Sequence, residues 1–236
     1  MSTVSFINKN GVVTITLNRN ENVGRQTTMA PRNYNHNGKN VFYPKDTESG
    51  GTWCSVAENG TVLTLLNGGI EQHSSKAFYR KSRGLVVLDL ISNVSPKDSW
   101  NELNLTHIEP FTLILYQAQK LYQLIWDGVV KRKIMLDETK NHIWSSVILN
   151  NQEMREKRAS SFFDFLQETP TYSATEIMNF HKRFKEFHSQ DNKILSDRDN
   201  VKMLSITQVI VDKNRGVIRY YDLLNEKKAL STFIHN

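Results

Sequence analysis

Two residues, Asn10-Gly11, set between β-prone runs, constrain this chain more than any other feature. Thr3–Ile7 precedes them, and Val13-Thr14-Ile15-Thr16-Leu17 follows with apolar and hydroxyl residues alternating at period two. Asn-Gly accepts the positive φ that a tight hairpin turn demands. The spacing therefore predicts an antiparallel hairpin. Its open end brings the N-terminus beside Asn18-Arg19-Asn20-Glu21.

The same signals recur downstream. Thr52–Val56 and Thr61–Leu66 predict a second hairpin around Glu58-Asn59-Gly60. The polar stretch Arg25–Asn40, with Pro31 and Gly38, reads as a long loop between these hairpins. Ser82–Ile91 carries apolar residues at helical spacing, and Ser95-Pro96 fits the start of a short helix through Leu103. Phe111–Tyr116, Lys120–Trp126, Val129–Leu136 and Asn141–Val147 read as strands. Asn151–Gln167 and Ser173–Phe187 read as helices, the second with Ser173 and Glu176 at capping-box spacing. Ser205–Asp212 and Gly216–Leu223 predict a closing hairpin. Strands, then helices, then strands suit an α+β fold with antiparallel sheets between helix layers better than a βαβ repeat.

The length, 236 residues, fits one domain spanning 1–236. A mean hydropathy of -0.49 and no long apolar run give no membrane span. Met1-Ser2-Thr3-Val4-Ser5-Phe6 has neither the basic nor the apolar region of a signal peptide, so a cytoplasmic location is expected. The single cysteine, Cys54, excludes an internal disulfide and any multi-cysteine metal site. Its place within a strand favours a buried, inert thiol. The net charge is +6, and residues 1–85 hold ten Lys and Arg against five Asp and Glu. That balance fits either a solvated surface or an anionic small-molecule ligand. No RNP, zinc-finger or homeodomain pattern accompanies it, so nucleic acid is not the expected partner.

No histidine stands at HExxH spacing, and His181 and His188 have no carboxylate to complete a ligand set, so no metal is expected. Gly50-Gly51 and Gly68-Gly69 belong to no phosphate-loop pattern. Both pairs read as positive-φ turns, and for Gly68-Gly69, which ends a strand, backbone approaching a ligand is an equal reading. Ser2 is the candidate nucleophile. With Met1 removed, Ser2 carries both a hydroxyl and an α-amine of ordinary pKa about 7.7–8.0, so one residue supplies nucleophile and base. Arg19 is a fixed cation able to lower the pKa of a neighbouring amine, and Glu21 can orient it. The bland alternative is an exposed strand end with a surface ion pair.

The stretches MSTVSFI at 1–7, Asn18-Arg19-Asn20-Glu21, Pro44-Lys45-Asp46 with Gly50-Gly51-Thr52-Trp53, Leu66-Asn67-Gly68-Gly69, Tyr79–Gly84, Ile108–Phe111, Ile143–Ser146 and Ser205–Gln208 occur in order. In that combination the chain resembles the NRDE family, related to the Transport and Golgi organization proteins and similar to N-terminal-nucleophile hydrolases. The resemblance implies an αββα four-layer sandwich and hydrolysis of a non-peptide C–N bond without a cofactor. It assigns catalytic roles to Ser2, Arg19 and Asn67, the last as oxyanion donor. Asn18, Glu21 and Ser146 are supporting residues, Ser146 standing where related amide hydrolases place a further oxyanion asparagine. Arg80 and Arg83 are candidates for binding a carboxylate-bearing substrate. Two positions depart from the family pattern. Ser2 replaces the usual cysteine, a stronger nucleophile at neutral pH, and Asn20 replaces the aspartate of the motif. Two other readings stand beside hydrolysis: a non-catalytic handler of haem or a lipid metabolite, and an interaction protein on the same scaffold.

Overall fold

The computed structural model describes residues 2–22, 24, 28–147, 151–169, 171–184 and 201–234. The strands among them are β1 (Thr3–Lys9), β2 (Val12–Asn22), β3 (Thr28–His36), β4 (Lys39–Asp46), β5 (Cys54–Ala57), β6 (Val62–Asn67), β7 (Phe111–Gln117), β8 (Lys120–Trp126), β9 (Lys131–Leu136), β10 (His142–Ser145), β11 (Val201–Val211), β12 (Arg215–Asp222) and β13 (Lys227–Ile234). The helices are α1 (Arg83–Ile91), α2 (Pro96–Glu102), α3 (Gln152–Glu168) and α4 (Ala174–Arg183). Sheet I runs β10-β1-β2-β11-β12-β13 and sheet II runs β3 to β9 in sequence order. Every pairing is antiparallel. Helices α3 and α4 pack on sheet I, and α1 and α2 pack on sheet II. The result is the expected four-layer αββα sandwich.

The hairpin forms as its sequence demands. Val4 pairs with Leu17 and Phe6 with Ile15, all buried in the core between the sheets. Alternation sends Thr3 and Ser5 to the opposite face, under α3 and α4. A second apolar cluster fills that layer, built on Ile7, Phe162, Phe180 and Ile206. No helix of the described residues is long and apolar enough to cross a membrane.

Four expectations need correction. The predicted loop Arg25–Asn40 holds strand β3 and the turn into β4, at Asn37 and Gly38 with φ of 52° and 83°; residues 25–27 lie outside the described residues. Its polarity reflects an edge strand, not a loop. Pro31 sits where the register shifts between Met29 and Arg32, a place where a missing N–H is tolerated. Strand β13 has no counterpart among the predicted elements; it too is a sheet edge, with Lys227, Lys228 and Leu230 exposed or partly exposed. Val129 and Val130 belong to the turn before β9, because Asp127 Oδ1 accepts both of their N–H groups. Strand β10 is shorter than Asn141–Val147. The capping box of α4 forms with both of its hydrogen bonds, while residues 185–187 of the predicted helix lie outside the described residues.

Candidate active site

Ser2 lies one residue before β1. Extending the β1–β2 register two residues beyond Val4 and Leu17 sets Ser2 opposite Arg19. Both are buried, at 8% and 5% exposure. They line a cavity of about 70 Å³ at the end of the sandwich, together with Glu21, Asp46, Asn67 and Arg83. Elements from both sheets and from α1 therefore meet there.

Arg19 is fixed from two sides. Its Nη2 donates to Asp46 Oδ2 at 3.0 Å, and its guanidinium lies over the Trp53 ring, 4.4 Å from the centroid. Trp53 is held in turn by Nε1–H donating to Thr207 Oγ1 at 3.2 Å. Asp46 also shapes the loop that follows it. Its Oδ1 accepts the N–H groups of Glu48 and Ser49, and its carbonyl accepts the N–H of Gly50. The loop then runs against the first turn of α1. A Cβ on Gly51 would lie 2.5 Å from the Gly84 carbonyl carbon, so glycine is required for the approach. Thr52 N–H donates to Gly84 O at 3.1 Å and closes it.

The start of α1 thereby faces the cavity, which Ser82, Arg83 and Gly84 help to line. Ser82 caps the helix by accepting from Gly84 N–H. Arg83 is braced by Glu109, Nη2 to Oε2 at 3.0 Å. The wall thus combines two guanidinium groups, each paired with a carboxylate, the Glu21 side chain and a helix N-terminus, a strongly polar lining.

Asn67 ends β6, half-buried. Ser146 joins it to the nucleophile strand: Ser146 Oγ donates to Asn67 O at 2.6 Å, and Ser146 N–H donates to Ser2 O at 2.9 Å. The Asn67 side chain has no hydrogen-bond partner among the described residues, so its amide is available to a ligand.

Two candidates lie elsewhere. The Arg80 guanidinium donates to the carbonyls of Thr106 and Asn104 on an exposed face and does not line the cavity. Asn18 points to the other side of sheet I. Its Oδ1 is 2.6 Å from His181 Nδ1, and its Nδ2 donates to His181 O and Met203 Sδ. His181 Nε2 is 2.7 Å from Ser5 Oγ. Burial, aided by the charge of Arg158, pushes His181 down to about 3, so the ring is neutral. With Nδ1–H donating to Asn18, its Nε2 accepts from the Ser5 hydroxyl. This buried network ties α4 to β1 and β2 behind Ser2.

Asp46 and Trp53 carry no assigned role in the sequence reading. The available signal is a carboxylate opening the turn-rich run Asp46-Thr47-Glu48-Ser49-Gly50-Gly51. Cys54 is fully buried, which pushes its thiol up to about 12. At neutral pH it stays protonated and is no nucleophile.

Known structures share this architecture. Two variants of conjugated bile acid hydrolase from Clostridium perfringens superpose with TM-scores of 0.58 and 0.63, at 9% and 7% identity. Each alignment covers 100% of this chain and 97% of the hydrolase. The Caenorhabditis elegans orthologue of N-acylethanolamine-hydrolyzing acid amidase gives 0.56 at 11% identity, covering 87% of this chain and 91% of that one. No curated protein sequence matches the chain. The model of one family matches residues 8–221, nearly the whole length, and by that match the chain belongs to the Transport and Golgi organisation 2 family.

Proposed function

We propose that the protein is an N-terminal-nucleophile hydrolase that cleaves a non-peptide amide bond in a small anionic substrate. One observation carries the reading: Ser2, Arg19 and Asn67 line the same small polar cavity, although they are far apart in the chain. The fold shared with two amide hydrolases supports it.

Removal of Met1 gives Ser2 a free α-amine. Ser2 Oγ then adds to the substrate carbonyl carbon as the hydroxyl proton passes to that amine. The carbonyl oxygen becomes an oxyanion beside the Asn67 amide. Collapse breaks the C–N bond, and the proton leaves with the amine. Water, deprotonated by the same α-amine, attacks the acyl ester and releases the carboxylic acid. Arg19 holds positive charge at the nucleophile, and Arg83 offers a contact for a carboxylate on the amine portion.

Neither this cavity nor the larger one beside it is lined by His, Cys or Met among the described residues. Nothing there offers haem iron an axial ligand. The test begins with the intact mass of the purified protein. A chain lacking Met1 should hydrolyse small N-acyl amides, Ser2→Ala should abolish turnover, and Ser2→Cys should raise it. A mass retaining Met1 in active protein, or full activity in Ser2→Ala, rejects the mechanism.

A further inference from the structure

A second cavity, of about 520 Å³, lies on the far side of Asn67. Asn67 lines both cavities, so the two share a wall at the proposed oxyanion donor. The walls of the second are different in kind. Leu66, Thr112 and Ile125 are cross-strand neighbours on one face of sheet II. It is the face of Tyr116, whose ring meets Phe6 of sheet I at 5.9 Å, so this wall faces sheet I. Across from it lies the β10 edge of sheet I: Trp144, the partner of Val4, faces sheet II, Ile143, the partner of Ser5, faces the α3 layer, and the cavity wraps that edge to reach Ala159 of α3.

The backbone at Gly68-Gly69 is drawn tightly into this wall. Gly68 has φ of 90°, and a Cβ on Gly69 would lie 2.8 Å from Trp126 O and from Asp127 Cα. A side chain on Gly69 would clash with the backbone at the end of β8. The polar groups Gln152, Arg155 and Glu156 come from the first two turns of α3.

We infer that this second cavity is the acyl site, taking the apolar acyl group of an amide whose carbonyl sits between Ser2 and Asn67. The inference rests on the hydrolase reading and adds the class of substrate. The first cavity is the smaller, and its lining is polar and charged, with Arg19, Arg83, Glu21 and Asp46, so it takes the polar amine portion. The second has the volume of an ordinary ligand pocket, with an apolar wall in Leu66, Ile125 and Trp144 and polar groups confined mainly to its α3 side and rim. The opposite orientation would put a charged group against Leu66, Ile125 and Ile143 and force an apolar chain against Arg19 and Arg83, and both placements are costly. The acyl chain is therefore the part that discriminates, because each methylene moved from water into an apolar wall is worth about fourfold in binding.

The experiment uses the full chain and two amide series, glycine and ethanolamine amides of acetyl, octanoyl and dodecanoyl groups. The expected result is kcat/KM rising at least a hundredfold from acetyl to octanoyl in whichever series is cleaved. Ala159→Trp, which fills the cavity, should lower kcat/KM for the dodecanoyl amide at least tenfold more than for the acetyl amide. Turnover independent of chain length, or an equal loss on both substrates, overturns the acyl site and leaves the hydrolase reading intact. Should no amide be cleaved, the hydrolase reading fails. Isothermal titration of free dodecanoate then decides the cavity: binding that is lost in Ala159→Trp retains it as an apolar-chain site, and no binding rejects it. Circular dichroism of the variant shows whether it folds. If it does not, the wild-type chain-length series and the dodecanoate titration decide the matter by themselves.

Discussion

Arg19 of sheet I and Asp46 of sheet II form an ion pair of 3.0 Å at the rim where the two sheets meet. Both side chains are close to fully buried, at 5% and 11% exposure. The pair therefore fixes the cation beside Ser2 and fastens the sheets together at the site.

Removing one partner leaves the other charge buried, which costs about 3–5 kcal/mol in comparable pairs. Asp46→Ala should lower the unfolding free energy by about that amount, shifting Tm by roughly 10 °C in a chain of this size. Thermal unfolding by circular dichroism measures it. A shift below about 2 °C would mean that the pair contributes nothing net.

Asn67→Ala should reduce kcat by about 10²–10³ with KM little changed, because an oxyanion donor acts on the transition state and not on the ground state. Steady-state kinetics on a cleaved amide provides the test. A raised KM at constant kcat would make Asn67 a binding residue only.

His181 gives the fold a pH dependence of defined sign. The unfolded imidazole titrates near 6.5, whereas burial holds the folded one down to about 3. Between these values the unfolded chain binds the extra proton, so stability falls as pH falls. The contribution is complete above about pH 6.5 and gone below about pH 3. In denaturant titrations the stability gap between wild type and His181→Gln should narrow by about 1.4 kcal/mol per pH unit from pH 6 to pH 4. A constant gap would mean that the ring does not remain neutral.

Gly84 is backed by the chain at Thr52, where an added Cβ would lie 2.9 Å from the Thr52 nitrogen and 3.0 Å from its oxygen. Gly84→Ala should destabilise the protein by about 1–3 kcal/mol despite alanine's better helix propensity. It should also lower activity by moving Arg83. An Ala variant as stable as wild type would show that the loop yields without strain.

Local order was legible in the sequence because it depends on neighbours in the chain. Asn10-Gly11 and the alternation of Val13, Ile15 and Leu17 sufficed for the first hairpin, and that hairpin alone carries Ser2 back to Arg19. Ser173 with Glu176 sufficed for the start of α4. Edge strands were harder to read. The strands β3 and β13 bury little on one side, so their polar residues carry the signature of loops even though their backbones pair. The motif Asn18-Arg19 was legible as a motif but not as two directions. Only the pleat sends Arg19 into the cavity and Asn18 to His181 beneath α4. The tertiary structure alone decided that Asp46, 27 residues from Arg19, would pair with it and hold it in place, and that Ser146 would clasp Asn67 to Ser2 across long stretches of chain. Such contacts depend on how two sheets and a helix pack. Their energies come from burial and geometry shared among distant segments, and no local spacing records them.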